Sequence, residues 1–435
     1  MSARRLYTLG WYLALPWVAA YLLLRSLRQP EYRRHWRERF LGLGPALADR
    51  GGAAAPVLWL HAVSVGETRA AQPLLEELAR RHPGARFVLT HMTPTGREAA
   101  RPVLDALAGR IVQRYLPYDV PAAVRRFLAQ VRPSALILME TEIWPNLQFE
   151  ARRAGVPIVL VNARLSPRSL ARALRWPALM GPAAAALAAV AAQTPADQAR
   201  WARLYAGPIH VTGNLKFDAA PPAQLLDAGR AWRRRLGGRP VWMFASTREG
   251  EERAIVDALA GVARAPAAAP VLLFVPRHPQ RFDEVARLLA ALGSPVVRRA
   301  QFESLSAESR VLLGDSMGEM PMYYAMADVA LIGGSLLPLG GQNLIEACAC
   351  GCPVLVGPHM FNFAQAAADA LACGAALQVA DAGQAVEAMS GLQAGPARRE
   401  NMARAALAFA QAHRGATERT AELIDRVLSS AAAAR

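Results

Sequence analysis

Lysine is all but missing from this chain: of its 50 lysine and arginine residues, only Lys216 is a lysine. Arginine has replaced it wherever the two are interchangeable. The one exception is either a chance survivor or a position that needs a compact ammonium rather than a planar guanidinium. Cysteine is scarce too. Four in 435 residues, three of them crowded at Cys348, Cys350 and Cys352, do not frame a disulfide-stapled fold and point to a reduced, cytoplasmic setting. Their alternation reads as small apolar packing. No partner stands at ligand spacing from His278, so neither metal nor cofactor is expected. The sequence also has no P-loop, no G-x-S-x-G and no Asp-x-Asp of the kind metal-dependent sugar-nucleotide enzymes use. With 53% hydrophobic and only 19% charged residues, disorder is excluded, and the length suits two domains.

Negative charge is the minority. With 34 acidic residues the net charge is +16, which calls for an acidic partner: anionic lipid, phosphorylated substrate or nucleic acid. Nucleic acid is not expected, because the arginines are scattered and no RRM, KH or helix-turn-helix pattern is present. A charge-free run near the N-terminus, residues 6–24, includes Trp11, Tyr12, Trp17 and Tyr21. About 19 apolar residues just span a hydrocarbon core as a helix, and the aromatics suit its interfacial belts. Arg4 and Arg5 precede the run, and Arg25, Arg28, Arg33, Arg34, Arg37 and Arg39 follow it. That excess places the rest of the chain on the cytoplasmic side. The segment is read as an uncleaved anchor, either spanning or lying in the interface around Pro16.

Beyond it, short Val-, Ile- and Leu-rich runs alternate with helix-length stretches, at 57–63, 86–91, 111–116, 135–139, 157–161, 190–193 and 209–212. A second series follows at 241–245, 271–275, 296–297, 311–313, 329–332 and 354–356. Continuous apolar strands separated by helices predict parallel sheets covered on both faces. The expected architecture is α/β, with two Rossmann-like doubly wound domains facing a cleft. Its parts are an anchor and basic segment at 1–40, a domain at 41–216, a linker at 217–238 and a domain at 239–435, whose last helix is free to pack back on the first. Ligands of such sheets sit beyond the carboxyl ends of the strands.

Candidate residues fall at those ends. After the first run, Ser64-Val65-Gly66-Glu67 opens a helix. Gly66 permits close approach of a ligand, and Glu67 is either a dipole-stabilised first-turn carboxylate or a general base. Glu142 and Asn146, in Glu140-Thr141-Glu142-Ile143-Trp144-Pro145-Asn146, are substrate-contact candidates, and Lys216 is placed to reach a phosphate or carboxylate. Ser246 and Thr247 begin a turn in which either is also a plain N-cap. Arg277-His278-Pro279 sets donors at a strand end. Turns at Gly318-Glu319-Met320 and Gly333-Gly334-Ser335 are rich in backbone donors, and Gly340-Gly341 leads into Asn343 and Glu346, three apart on one helical face.

Together these blocks resemble the 3-deoxy-D-manno-octulosonic acid (Kdo) transferases, in order. They are 61–67, Tyr115-Leu116-Pro117-Tyr118-Asp119, 140–146, Asn162-Ala163-Arg164-Leu165-Ser166, 213–218, 277–279 and 340–346. The resemblance implies a GT-B fold and a reaction at the cytoplasmic face of the inner membrane in lipopolysaccharide biosynthesis. It implies CMP-Kdo as donor and a tetraacylated lipid A precursor (lipid IVA) as acceptor. It makes Glu67 the base and puts Arg277, Gly334, Ser335, Asn343 and Glu346 on the CMP side. Gly318 and Met320 fall where the nucleobase is held by backbone. One block departs: the family's Ser-Thr-His reads Ser246-Thr247-Arg248 here, which keeps a donor and loses a titrating group. The alternatives are another GT-B enzyme using a UDP-sugar, transferase or hydrolysing epimerase, and a non-catalytic membrane-bound nucleotide-binding protein.

Overall fold

In the computed structural model, which describes residues 2–45, 55–259 and 269–433, the apolar runs are strands. They divide between two units, Met1–Ala219 with Arg414–Arg435, and Ala220–His413. The first unit holds β1 (Val57–His61), β2 (Arg86–His91), β3 (Ile111–Tyr115), β4 (Ala135–Met139), β5 (Ile158–Ala163), β6 (Ala189–Ala192) and β7 (Ile209–Val211). They form one parallel sheet in the order β3-β2-β1-β4-β5-β6-β7. Alternate residues of one strand feed opposite faces: Leu58 and Leu60 join one cluster, Val57 and Trp59 the other. Helices cover both faces, which is why these strands read as unbroken apolar runs.

The second unit repeats the plan with β8 (Val241–Thr247), β9 (Val271–Pro276), β10 (Val296–Arg298), β11 (Val311–Leu313), β12 (Val329–Ile332), β13 (Val354–Val356) and β14 (Ala376–Gln378). Its parallel order is β10-β11-β9-β8-β12-β13-β14. Strand order reverses at β1/β4 in one sheet and at β8/β12 in the other.

The segment expected as a linker, 217–238, is largely a helix, Ala223–Arg235, built into the second unit. Gly229 lets it approach so closely that an added Cβ would lie 2.2 Å from the Met322 carbonyl oxygen. Trp232 meets Phe302 edge to face at 5.3 Å. The last helix, Ala416–Ala433, which the sequence leaves free to pack back, belongs to the first unit. Its Ala416, Ala421, Leu423 and Ile424 complete the cluster containing Leu58 and Leu215. Asp218 acts as its remote cap, accepting the Gly415 N–H at 2.7 Å and the Thr417 N–H.

The N-terminal helix, Ala3–Ser26, is long and apolar enough to cross a membrane. It is nevertheless two-faced. Arg4, Tyr7, Thr8, Trp11, Leu15, Val18 and Leu22, spaced three or four apart, are shielded, and Trp11, Leu15, Val18 and Leu22 join Tyr32 and Tyr118 of the first unit. Leu6, Leu9, Leu13, Trp17 and Leu24 are exposed.

Asp218→Ala leaves the first turn of the C-terminal helix uncapped, at a cost of about 1–3 kcal/mol. Amide exchange over residues 416–424 is expected to accelerate, and Asp218→Asn to accelerate it less.

Candidate active site

In the first unit the helix Val65–Arg81 starts directly beyond β1, with Ser64 as N-cap. Ser64 Oγ accepts the Glu67 N–H at 3.3 Å, while Glu67 reaches back. Its Oε1 accepts the Ser64 hydroxyl at 2.9 Å and its Oε2 the Val63 N–H at 2.8 Å. These reciprocal bonds fix the carboxylate in place, and each oxygen keeps a second lone pair for a proton. Burial, followed by the charge of Glu140, raises the Glu67 pKa. Gly66 is exposed, and a Cβ there would meet only Ser64 Oγ at 3.9 Å, so the space beside Glu67 is open.

Across the strand reversal, β4 ends in Glu140, whose φ of 55° is left-handed, a strained conformation for a glutamate. Glu140 is buried between Lys216 Nζ at 3.0 Å and Arg164 Nε at 2.9 Å. Burial alone would raise its pKa, but Lys216 and then Arg164 hold it low. Lys216, expected on a phosphate or carboxylate of the substrate, is thus placed on a carboxylate of the protein. Glu142 sits two residues on, its Oε2 accepting the Trp144 Nε1–H at 2.7 Å. Burial and then the Glu67 charge push its pKa up to about 7, against the Trp144 bond. His61 Nε2 lies 4.0 Å from the same oxygen. The His61 ring is fully buried and its pKa falls to about 4. Nδ1 faces the Thr90 hydroxyl at 2.9 Å and the Thr90 carbonyl oxygen at 3.1 Å, and Nε2 is buried with no hydrogen-bond partner among the described residues.

Asn146, expected to contact substrate, instead faces inward. It is fully buried, donating Nδ2–H to the Asp119 carbonyl at 2.7 Å and accepting from Thr8 Oγ1 at 3.0 Å.

In the second unit the same geometry recurs. β8 ends in left-handed Ser246 (φ 55°), and β12 runs into Gly333, where a Cβ would lie 2.4 Å from the Ser246 carbonyl oxygen. The donors expected to cradle a phosphate here are partly taken. Buried Glu251 accepts the N–H groups of Gly334 at 2.6 Å, Leu336 at 3.1 Å and Arg248 at 3.0 Å. Ser335 is fully buried, donating to the Ile332 carbonyl and accepting the Gly357 N–H at 2.8 Å, so its hydroxyl faces the core rather than a ligand. Asn343 caps the short helix Leu344–Ala349 through the Ile345 N–H at 3.1 Å, and Glu346 lies half-buried on its first turn. Thr247 Oγ1 is buried without a partner among the described residues.

Positive charge gathers beside this loop. Arg277 Nε donates to Gln342 Oε1 at 3.3 Å. Burial, then Arg248, Arg277 and Arg281, lower the His278 pKa, so this imidazole stays neutral among cations. Arg281 is paired with Glu252 at 2.8 Å and Glu284 at 2.9 Å. Pro279 starts the turn that carries Arg281. Gly318 (φ 85°) turns the chain into the helix Met320–Met326, and Met320 Sδ stands 3.9 Å from Ser246 Oγ. Glu251, Gln342, Trp144 and His61 are additions to the sequence-derived candidates. Among the described residues there is no group of three or more His, Cys, Asp or Glu able to hold a metal ion.

Residues 34–219 match the family model described as 3-deoxy-D-manno-octulosonic-acid transferase, and residues 293–409 that of glycosyl transferases group 1. The chain is 49% identical over 391 residues to 3-deoxy-D-manno-octulosonic acid transferase of Bordetella pertussis, covering 88% of this chain and 91% of that one. It is 34% identical to the Haemophilus influenzae enzyme of the same name, over 97% of this chain and 98% of that one. Among solved structures, UDP-GlcNAc 2-epimerase from Neisseria meningitidis bound to UDP-GlcNAc aligns with a TM-score of 0.57 at 17% identity. That alignment covers 85% of this chain and 99% of the epimerase, and the likeness is one of fold.

The raised pKa of Glu142 makes a stability prediction. The folded state retains a proton that the unfolded chain releases near pH 4.5, so this contribution is complete below that pH and lost as pH rises through about 7. The loss is at most about 3 kcal/mol. Glu142→Gln does not titrate, so its melting temperature relative to the unaltered protein is expected to climb between pH 5 and pH 8.

Proposed function

The chain belongs to the Kdo transferase family of GT-B glycosyltransferases, and from that premise we propose that it moves Kdo from CMP-Kdo to a tetraacylated lipid A precursor (lipid IVA) with inversion. The observation that carries the mechanism is the set of three carboxylates around the β1/β4 reversal, one held ionised and two pushed the other way. Glu140 is ionised and neutralised by its cations; Glu67 and Glu142 are pushed toward neutrality. Glu67, fixed by its bonds to Ser64 and Val63 beside open space, takes the proton of a primary hydroxyl of the glucosamine disaccharide. That oxygen forms the new bond to the anomeric carbon of Kdo as the bond from that carbon to the CMP phosphate oxygen breaks. The electron pair leaves on CMP, whose negative charge is met in the second unit by Arg277 and Arg248 and by the Gly-rich segment around Gly340-Gly341. Glu346 suits the ribose hydroxyls, and the turn at Gly318 and Met320 suits the nucleobase.

This assignment changes the roles of three residues. Lys216 acts through Glu140, keeping that charge in place, rather than on the leaving group. Ser335 and Gly334 shape the loop, held by Glu251, rather than contacting the phosphate through hydroxyl or N–H. The reaction uses no cofactor, and the partners are the two substrates and anionic lipids of the inner membrane, not nucleic acid. Both units lie on the cytoplasmic side, with the exposed face of the helix Ala3–Ser26 in lipid.

Two measurements test this. Glu67→Gln is expected to lower transfer by at least about 100-fold while CMP still raises the melting temperature as before; near-normal transfer removes Glu67 from the base role. CMP is expected to stabilise the unaltered protein more than UDP does, and the reverse order favours a UDP-sugar enzyme.

A further inference from the structure

An apolar helix that serves only to hold a protein at a membrane needs no polar ties to the domain behind it. The helix Ala3–Ser26 has several, and those of its first turns converge on Asn146 and on Asp119, which holds it. Thr8 Oγ1 donates to Asn146 Oδ1 at 3.0 Å, and Arg4 Nη1 reaches the same oxygen at 3.5 Å. Asn146 in turn is locked to Asp119, whose carboxylate accepts the N–H groups of Asn146 at 3.0 Å and Leu147 at 2.7 Å. The Tyr7 hydroxyl donates to that same carboxylate. One turn along, Trp11 packs between Tyr118 at 5.8 Å and Trp144 at 6.5 Å between ring centroids. Trp144 spends its only polar atom on Glu142 Oε2 at 2.7 Å.

We propose that Trp11 is a positioning residue for Glu142: the inner face of the N-terminal helix holds the Trp144 indole, and the indole holds the carboxylate. The proposal rests on the Kdo transfer reading above, and it gives the helix a part in building the acceptor-side site beyond attachment. The segment carrying Glu142 leaves β4 through the strained Glu140 and turns into the helix Pro145–Arg153. The sheet therefore fixes its start, while the N-terminal helix fixes its far end through Trp144 and Asn146.

The consequence is readable as a pH dependence. The groups facing Glu142 are Glu67 from the helix Val65–Arg81, His61 from β1 and Glu140 from its own turn, with Lys216 and Arg164 beyond on Glu140. His61 is neutral and Glu140 is neutralised, so the Trp144 N–H is the principal group favouring ionised Glu142. Withdrawing it moves the titration of Glu142 upward, and the charge felt by Glu67 titrates with it.

The test is the rate of transfer against pH for the full-length enzyme in phospholipid vesicles of phosphatidylethanolamine and phosphatidylglycerol. Trp144→Phe keeps the ring and loses the donor; Trp11→Ala loses the ring that holds it. Both are expected to move the limb belonging to Glu142 upward by about 0.5–1 pH unit. Trp11→Phe is expected to leave that limb in place, and Glu142→Gln to abolish it. If Trp11→Ala lowers the rate equally at every pH, or only lowers the amount of enzyme on the vesicles, the helix is an anchor alone and the proposal fails. If Trp144→Phe leaves the limb unmoved, the indole does not set Glu142 and the proposal fails as well. Failure of the base reading has a different signature: Glu67→Gln retains transfer whatever the limb does.

Discussion

Each sheet reverses its strand order once, and the placement of the chemistry follows from that reversal. Where two parallel neighbours send their crossovers to opposite faces, the loops beyond them diverge and leave room at the carboxyl edge. In the first unit this happens at β1/β4, and the residues beyond those strands are Glu67 on one side and Glu140 and Glu142 on the other. In the second it happens at β8/β12, and the residues beyond are Ser246 to Arg248 and the Gly333-Gly334 turn. Of the left-handed non-glycine residues, Glu140 after β4 and Ser246 in β8 fall at these reversals, and Asn162 lies in the neighbouring β5. Strain of this kind persists only where the surroundings over-determine it. Here they do, through Lys216 and Arg164 on Glu140, the Leu215 N–H on Asn162 Oδ1 at 3.1 Å, and Gly333 against Ser246.

Two buried carboxylates show how an internal anion can organise a loop. Glu251 gathers three backbone N–H groups and so pins the turn after β8 to the turn after β12. No cation is needed there, since several N–H donors stabilise a carboxylate well. Glu140 has cations in place of N–H groups, and their geometry explains the one lysine in the chain. Arg164 already approaches one carboxylate oxygen edge-on with its Nε. The other oxygen receives a single point donor at 3.0 Å, which an ammonium supplies and a second planar fork beside the first would crowd.

Much of this was legible in the sequence, because a strand buried on both faces is nearly continuous in Val, Ile and Leu. Thirteen of the strands fall on such runs, whereas β14, Ala-Leu-Gln, is too short and mixed to stand out. Glu67, Glu142 and Arg277 were legible as candidates because polar side chains directly after apolar strands have few structural excuses. The errors share a cause. Asn146, Ser335 and Lys216 sit in the right segments, yet which way a side chain turns depends on partners far off in sequence: Thr8 and Asp119, Gly357, Glu140. Glu251 does not stand out in the sequence, since nothing local says that its oxygens reach residues 83 and 85 positions away. The helix Ala223–Arg235 passed as a linker because its charged, Pro-flanked sequence hides Gly229 and Trp232, its points of contact.

Arg248 fits a wider separation of roles between the units. In the second unit, the cations beside the Gly-rich loop are guanidinium groups, which do not deprotonate in a protein. The one imidazole among them, His278, is held neutral by burial and by three neighbouring arginines. A histidine in place of Arg248 would stand among the same charges and lose its proton more easily still, so arginine there secures a permanent charge at the cost of a titrating one. The first unit is the reverse. Its carboxylates are spread from fully ionised Glu140 to Glu142 at about 7, and their states respond to one another. Fixed positive charge suits a departing phosphate, whose own charge does not wait on pH; graded carboxylates suit an attacking hydroxyl, which must lose a proton as it bonds. On the proposed mechanism, the pH dependence of transfer arises in the first unit, around a segment held at one end by its sheet and at the other by an amphipathic helix.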